Sequence, residues 1–183
     1  YHGITYAEHF GKEGAFITKA TAQLMRDFGC VQSPINAYML NLGLESLHVR
    51  MARHCENGQA VAEFLASHPK IAYVNYCGLP GDKYHAVAEK YLPNGSCGVV
   101  SFGVKGGREA AAAFMGHLKI AAIETHVADA RTCCLHPASS THRQMNDEQL
   151  IAAGVQPDLV RMSCGLEDKN DLIHDIAQAL DQI

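Results

Sequence analysis

The order of patterns along the chain predicts an α/β fold, an α+β sandwich in which helices pack on a sheet. Two observations carry the prediction. β-rich runs such as Val99-Val100-Ser101-Phe102-Gly103-Val104 and Leu159-Val160-Arg161-Met162-Ser163-Cys164 alternate with segments of helical period. The connections between them are short, which allows antiparallel neighbours. The 183 residues suffice for one domain with a sizeable core.

Taken in order, Tyr1 to Gly11 reads as an irregular arm, aromatic and glycine-punctuated. Phe16, Ile17, Ala20, Leu24 and Phe28 recur near the helical period, so a helix is expected over 14–28 with Gly29 as its stop. Ser33-Pro34 opens a second helix, serine as cap and proline in the first turn. Its apolar spacing runs to about Ser67, which predicts a long spine helix over 33–67, interrupted in propensity by Gly43 and Gly58. Ile71 to Tyr76 reads as a strand, followed by the turn Gly78-Leu79-Pro80-Gly81 and a short helix from Lys83 to Tyr91. The strand from Gly98 to Val104 leads through Gly106-Gly107 into a helix ending near His117. Short strands near Ile120–Ile123 and Thr132–Leu135 precede the loop from His136 to His142. A helix over 147–153, the arginine strand and an amphipathic helix from Asp168 to Ile183 complete the chain.

Composition excludes several functions. The formal charge is −4 and no basic stripe is present, which argues against nucleic acid as the main partner. No apolar run reaches the length of a bilayer span, so no membrane partner is expected. The seven cysteines are scattered without a Cys-x-x-Cys pair, which fits reduced thiols in the cytoplasm. The 11 histidines form no i, i+4 pair with an acidic helper, so no metal site is expected. The chain opens on Tyr1 with no signal-like stretch and reads as a fragment or a processed product.

Arg161 is the residue that most needs a reason. Val160, Met162 and Cys164 alternate with Leu159, Arg161 and Ser163, so one strand face is apolar and the other carries the charge. A guanidinium is costly to bury alone, and its planar fork fits a carboxylate or phosphate. Two readings follow: Arg161 holds a substrate carboxylate, or it pairs with an internal Asp or Glu. If the strands of Thr132 and Arg161 are neighbours, a hydroxyl, a backbone N–H and the guanidinium would converge on one anion. His136 and His142 have the chemistry of acid–base residues, though structural hydrogen bonding suits them as well. Gly103-Val104-Lys105-Gly106-Gly107 outlines a phosphate cradle but matches neither the Walker spacing nor the dinucleotide fingerprint, so a strand-to-helix turn is expected there.

The stretches Ser33-Pro34-Ile35-Asn36-Ala37, Gly43 to Met51, His136-Pro137-Ala138-Ser139-Ser140-Thr141-His142 and Ala153 to Arg161 together resemble the Cys/Met-metabolism family of pyridoxal-phosphate enzymes. The resemblance covers essentially the whole chain. It implies the C-terminal small domain of a fold-type-I enzyme, a mostly antiparallel sheet with helices on it. On this reading residues 1–32 are an arm and inter-domain helix, and 33–183 are the substrate-closing domain. Arg161 would grip the α-carboxylate of an amino-acid substrate, and Thr132, where the family usually has Ser, would help fix the same group. No catalytic residue is expected in this segment.

The resemblance places the Schiff-base lysine in a Ser-x-Thr-Lys motif, with the other cofactor-binding residues, in an N-terminal cofactor domain absent from this sequence. Thr18-Lys19 fits it only superficially. Pyridoxal 5'-phosphate is therefore expected only in the intact enzyme, and this chain alone is expected to be inactive. The implied reaction is γ-replacement: O-acetylhomoserine and sulfide or a thiol give homocysteine or an analogue and acetate. Related branches that make or cleave cystathionine, or cleave methionine, are the alternatives, with a non-catalytic assembly or regulatory module as a third. The first two helices are expected to expose apolar faces for the missing domain or a second subunit, and a homo-oligomer, a tetramer by resemblance, is implied.

Overall fold

The structure, a computed structural model, describes residues 2–183. It contains two compact units, one ending at Ser46 and the other spanning Leu47–Ile183.

In the first unit, helix α1 (Tyr6–Thr18) continues through a π-helical stretch, Lys19–Met25, into α2 (Arg26–Phe28). The arm expected to be irregular to Gly11 is thus helical from Tyr6. Gly11 only interrupts it, with φ 69° and ψ 165°, a backbone that glycine adopts without a Cβ clash. The helix stops where expected, at Gly29, which is left-handed and donates its N–H to the Met25 carbonyl at 2.8 Å. Helix α3 (Pro34–Glu45) starts on the Ser33 cap, whose Oγ accepts from the Asn36 N–H at 3.3 Å. None of these helices buries a residue, and Phe16 and Phe28 are 82% and 75% exposed.

The expected single spine over 33–67 is two helices. Helix α3 ends at Glu45, Ser46 leaves helical geometry at φ −105° and ψ 4°, and α4 (Leu47–Ser67) begins anew. Apolar spacing continues through this point, but spacing says nothing of a local break, and Gly43 weakens the last turn of α3.

The second unit is a five-stranded sheet in the order β1-β2-β5-β4-β3. Its strands are β1 (Ile71–Asn75), β2 (Val99–Val104), β3 (Ala122–Ile123), β4 (Cys133–Leu135) and β5 (Leu159–Ser163). All pairs are antiparallel except β3 with β4. Helices α5 (His85–Tyr91), α6 (Gly107–His117), α7 (Asp147–Ala152) and α8 (Lys169–Asp181) fall between and after the strands as the sequence predicts.

Alternation sets the two faces of the sheet. Val74, Phe102 and Val160 form one row, and with Val100, Met162 and Cys134 they face the core. Val61 and Leu65 of α4, Phe114 of α6 and Leu172 and Ile176 of α8 close over them. Phe102 and Phe114 meet edge to face, with ring centroids 5.8 Å apart and planes at 82°. The next row, Asn75, Ser101, Arg161 and Leu135, belongs to the other face.

Helix α4 is pinned to the exit of β5. The His54 ring Nδ1 lies 2.7 Å from the Cys164 carbonyl, and the Asn57 amide donates to the Gly165 and Glu167 carbonyls at 2.9 and 2.8 Å. Asp175 of α8 accepts the N–H groups of Lys119, Ile120 and Ala121 at 2.8, 2.9 and 3.1 Å, which fixes the chain between α6 and β3. Gly58 permits the α4 contact, because a Cβ there would stand 2.6 Å from the Cys97 carbonyl oxygen. In a free helix, alanine would gain about 1 kcal/mol over glycine. Here Gly58→Ala is expected to destabilise the protein by about 1–3 kcal/mol, the usual cost of overpacking. A urea midpoint raised by Gly58→Ala would refute the close approach.

Candidate functional site

Arg161 stands on the central strand β5, between Ser101 of β2 and Leu135 of β4. It lines a cleft of about 510 Å³ on the sheet face opposite the core, together with Thr125, Thr141, His142, Ser101 and Leu135. Its Nη2 donates to the Thr125 carbonyl at 2.7 Å. Its Nε is buried and has no acceptor. Among the described residues no carboxylate is ion-paired with it. The alternative of an internal acidic partner is therefore not what the geometry shows. A dry N–H without an acceptor costs about 1–3 kcal/mol.

The loop that walls this cleft is built by its own hydrogen bonds. His136 is buried, with Nδ1 2.9 Å from the Ser139 hydroxyl and Nε2 2.8 Å from the Pro157 carbonyl. A carbonyl only accepts, so Nε2 carries the hydrogen and Nδ1 accepts from Ser139. His136 is thus a structural post. The Ser140 hydroxyl donates to the His136 carbonyl at 2.6 Å, and Arg108 of α6 ties the loop down through the Ala138 carbonyl at 2.6 Å and an ion pair with Asp147. His142 is the histidine of the pair that reaches the cleft, where its Nδ1 lies 2.9 Å from the Thr141 hydroxyl.

Thr132 does not join Arg161. It directly precedes β4, and β4 and β5 are neighbours as the sequence reading required. Alternation nevertheless puts Thr132 on the helix-covered side with Cys134, while Arg161 shares the other side with Leu135. Thr132 is fully buried, and its N–H and hydroxyl donate to the two Glu167 carboxylate oxygens at 2.7 and 2.8 Å. Its Oγ1 accepts from the Gly165 N–H at 2.8 Å. The expectation of a shared anion is corrected accordingly: Thr132 locks the turn after β5 and has no donor to spare.

The glycine run after β2 is a turn. Gly106 adopts φ 105° ahead of α6, the Lys105 N–H donates to the Lys70 carbonyl at 2.9 Å and the Lys105 ammonium to the Pro69 carbonyl at 2.7 Å. Cys134 and Cys164 are packed in the core, and burial pushes the Cys164 thiol up to about 12. No helix among the described residues is long and apolar enough to cross a membrane.

Sequence reasoning missed Thr125 and Ser101. Thr125 acts through its backbone carbonyl, which no side-chain pattern reveals. Ser101 was detectable, because it is the polar residue at the outward phase of β2.

The site is thus an arginine in a sheet-floored cleft, tethered to one backbone carbonyl and without an acidic partner among the described residues. Residues 10–181 match the family described as Cys/Met metabolism PLP-dependent enzyme, and the chain belongs to that family. Its relatives include O-acetyl-L-homoserine sulfhydrylase of Leptospira meyeri, 44% identical over 100% of this chain and 43% of that protein. O-acetyl-L-homoserine sulfhydrylase 1 of Thermus thermophilus is 43% identical over 98% of this chain and 42% of its own length. A Campylobacter jejuni structure described as an O-acetylhomoserine (thiol)-lyase, with N'-pyridoxyl-lysine-5'-monophosphate, superposes with a TM-score of 0.82. It is 37% identical and covers 91% of this chain and 39% of its own. The chain thus spans about two fifths of the length of the relatives it matches.

Among the described residues no lysine lines the Arg161 cleft. The Lys70 and Lys105 ammonium groups donate to carbonyls, Lys169 pairs with Glu56, and Lys83 and Lys90 sit over the Tyr84 and Tyr91 rings.

Thr132→Val is expected to destabilise the domain by about 1–3 kcal/mol, since it strands the Gly165 N–H and one Glu167 oxygen. Thr132→Ser should keep most of that stability. Equal urea midpoints for the two variants would overturn the assigned role.

Proposed function

We propose that this chain is the substrate-closing C-terminal part of an O-acetylhomoserine sulfhydrylase, and that Arg161 receives the α-carboxylate of the amino-acid substrate. The observation that carries the reading is an Arg161 that lines the cleft with no acidic partner among the described residues and with an Nε that has no acceptor. A carboxylate placed there accepts from the guanidinium donors that Thr125 leaves free. The relatives named above support the choice of substrate.

In the intact enzyme the reaction replaces acetate at Cγ of O-acetylhomoserine with sulfide or a thiol. The Cγ–O bond breaks, a C–S bond forms, and homocysteine or its analogue and acetate leave. The family's cofactor supplies the electron sink this chemistry needs. The chain's own part is binding and orientation. Arg161 fixes the carboxylate, the β2–β5–β4 row holds Arg161, and the His-Pro loop limits the cleft. Without a lysine in the cleft, this segment alone is inactive.

The exposed apolar side chains of α1 to α3 are, on this reading, covered by the cofactor domain or by another subunit of a homo-oligomer. The unpaired thiols suit a cytoplasmic enzyme.

In the full-length enzyme, Arg161→Ala is expected to raise KM for O-acetylhomoserine strongly, a loss in kcat/KM worth about 2–5 kcal/mol. Arg161→Lys should recover only part of it, because an ammonium lacks the fork. An unchanged KM would discredit the site. Offering sulfide and cysteine in parallel checks the reaction: homocysteine from sulfide is expected, and cystathionine as the dominant product would reassign the branch.

A further inference from the structure

A second group of side chains lies beside the Arg161 tether and takes no part in the carboxylate site. Glu124, His126 and Cys133 bring one ligand atom each to within 4.8 Å of one another. The His126 Nδ1 is 3.1 Å from a Glu124 carboxylate oxygen and 3.5 Å from Asp129 Oδ2. The Cys133 sulfur is 3.7 Å from the same Glu124 oxygen.

The grouping is held by backbone. The β3–β4 pairing sets Ala122 opposite Cys133 and Ile123 opposite Cys134, and the Glu124 N–H donates to the Cys134 carbonyl at 3.2 Å. Between the two strands, the Ala128 N–H donates to the Ser163 hydroxyl at 2.9 Å. Cys133 is buried and His126 is exposed, so the group has a closed floor and an open mouth.

Carboxylates outnumber cations around the group, Arg131 being the cation that acts on Asp129 and Cys133. Two carboxylates converge on one imidazole nitrogen and one thiol, which supply at most two hydrogens. Among the described residues neither Glu124 nor Asp129 is ion-paired with a lysine or arginine. The three groups that converge offer one sulfur, one nitrogen and carboxylate oxygens. That mixture suits a borderline-soft divalent ion rather than calcium or magnesium, which take all-oxygen sets.

We propose that Glu124, His126 and Cys133 form a three-ligand binding site for a divalent transition metal of the zinc class, with the fourth position open to water. The sequence showed no spacing motif for it, because the ligands come from two parallel strands and the loop between them. Binding displaces the Cys133 thiol proton and leaves Nδ1 of His126 as a lone-pair donor, so protons are released as the ion enters. The site also has a route to the cleft. Thr125, whose carbonyl holds Arg161, lies between Glu124 and His126. An ion fixing both neighbours fixes that carbonyl.

The experiment uses the full-length protein, freed of metal by chelation, loaded with Zn²⁺ and passed through a desalting column. One zinc per chain is expected, with an X-ray absorption shell of one sulfur at about 2.3 Å and the remainder nitrogen and oxygen. His126→Ala alters an exposed side chain, which leaves the fold intact by circular dichroism, and should weaken zinc binding at least tenfold. Cys133→Ser should remove the sulfur from the shell, and Cys55→Ser should change nothing. No retained zinc, a shell with no sulfur or with two, or retention indifferent to His126→Ala would each overturn the proposal. These readouts are independent of substrate binding, so they stand or fall apart from the role given to Arg161.

Discussion

The strict alternation of the central strand β5 governs the second unit. Val160 and Met162 go to the core, and Arg161, one residue between them, goes to the opposite face. A register slip of one residue would drive the guanidinium into a core closed by Phe114, Leu172 and Ile176. The apolar phase therefore does two jobs. It holds three helices on one side, and it forces a charged group outward on the other, where neighbouring strands supply a floor of Ser101 and Leu135.

The second requirement is that β5 be fixed along its length. At its exit, His54 and Asn57 of α4 hold the carbonyls of Cys164, Gly165 and Glu167, and Thr132 ties Glu167 and the Gly165 N–H to the entry of β4. At its entry, His136 hydrogen-bonds the Pro157 carbonyl. Arg161 sits between two anchored ends. Two of the polar residues picked out from the sequence, Thr132 and His136, serve this anchoring. That is the ordinary fate of a buried polar group: it survives in a core only when its bonds are satisfied locally.

The sheet and its helices were legible because apolar period is a direct imprint of burial, and burial is what decides these elements. Arg161 was legible for the same reason, as the residue that breaks the pattern. Thr132 was misplaced because a strand residue's neighbour is read from sequence proximity to the His-Pro loop, whereas its face depends on a register that only the paired strands define. The break at Ser46 was invisible because apolar spacing runs straight through it. Thr125 could not be found at all, since a carbonyl is common to every residue.

The bond from Arg161 to the Thr125 carbonyl has a thermodynamic meaning beyond geometry. A free arginine side chain carries about 2 kcal/mol of rotamer entropy. Here part of that freedom is already surrendered during folding, before any ligand arrives. A carboxylate bound as proposed would meet a guanidinium held in orientation, so little disorder would remain to be lost on association.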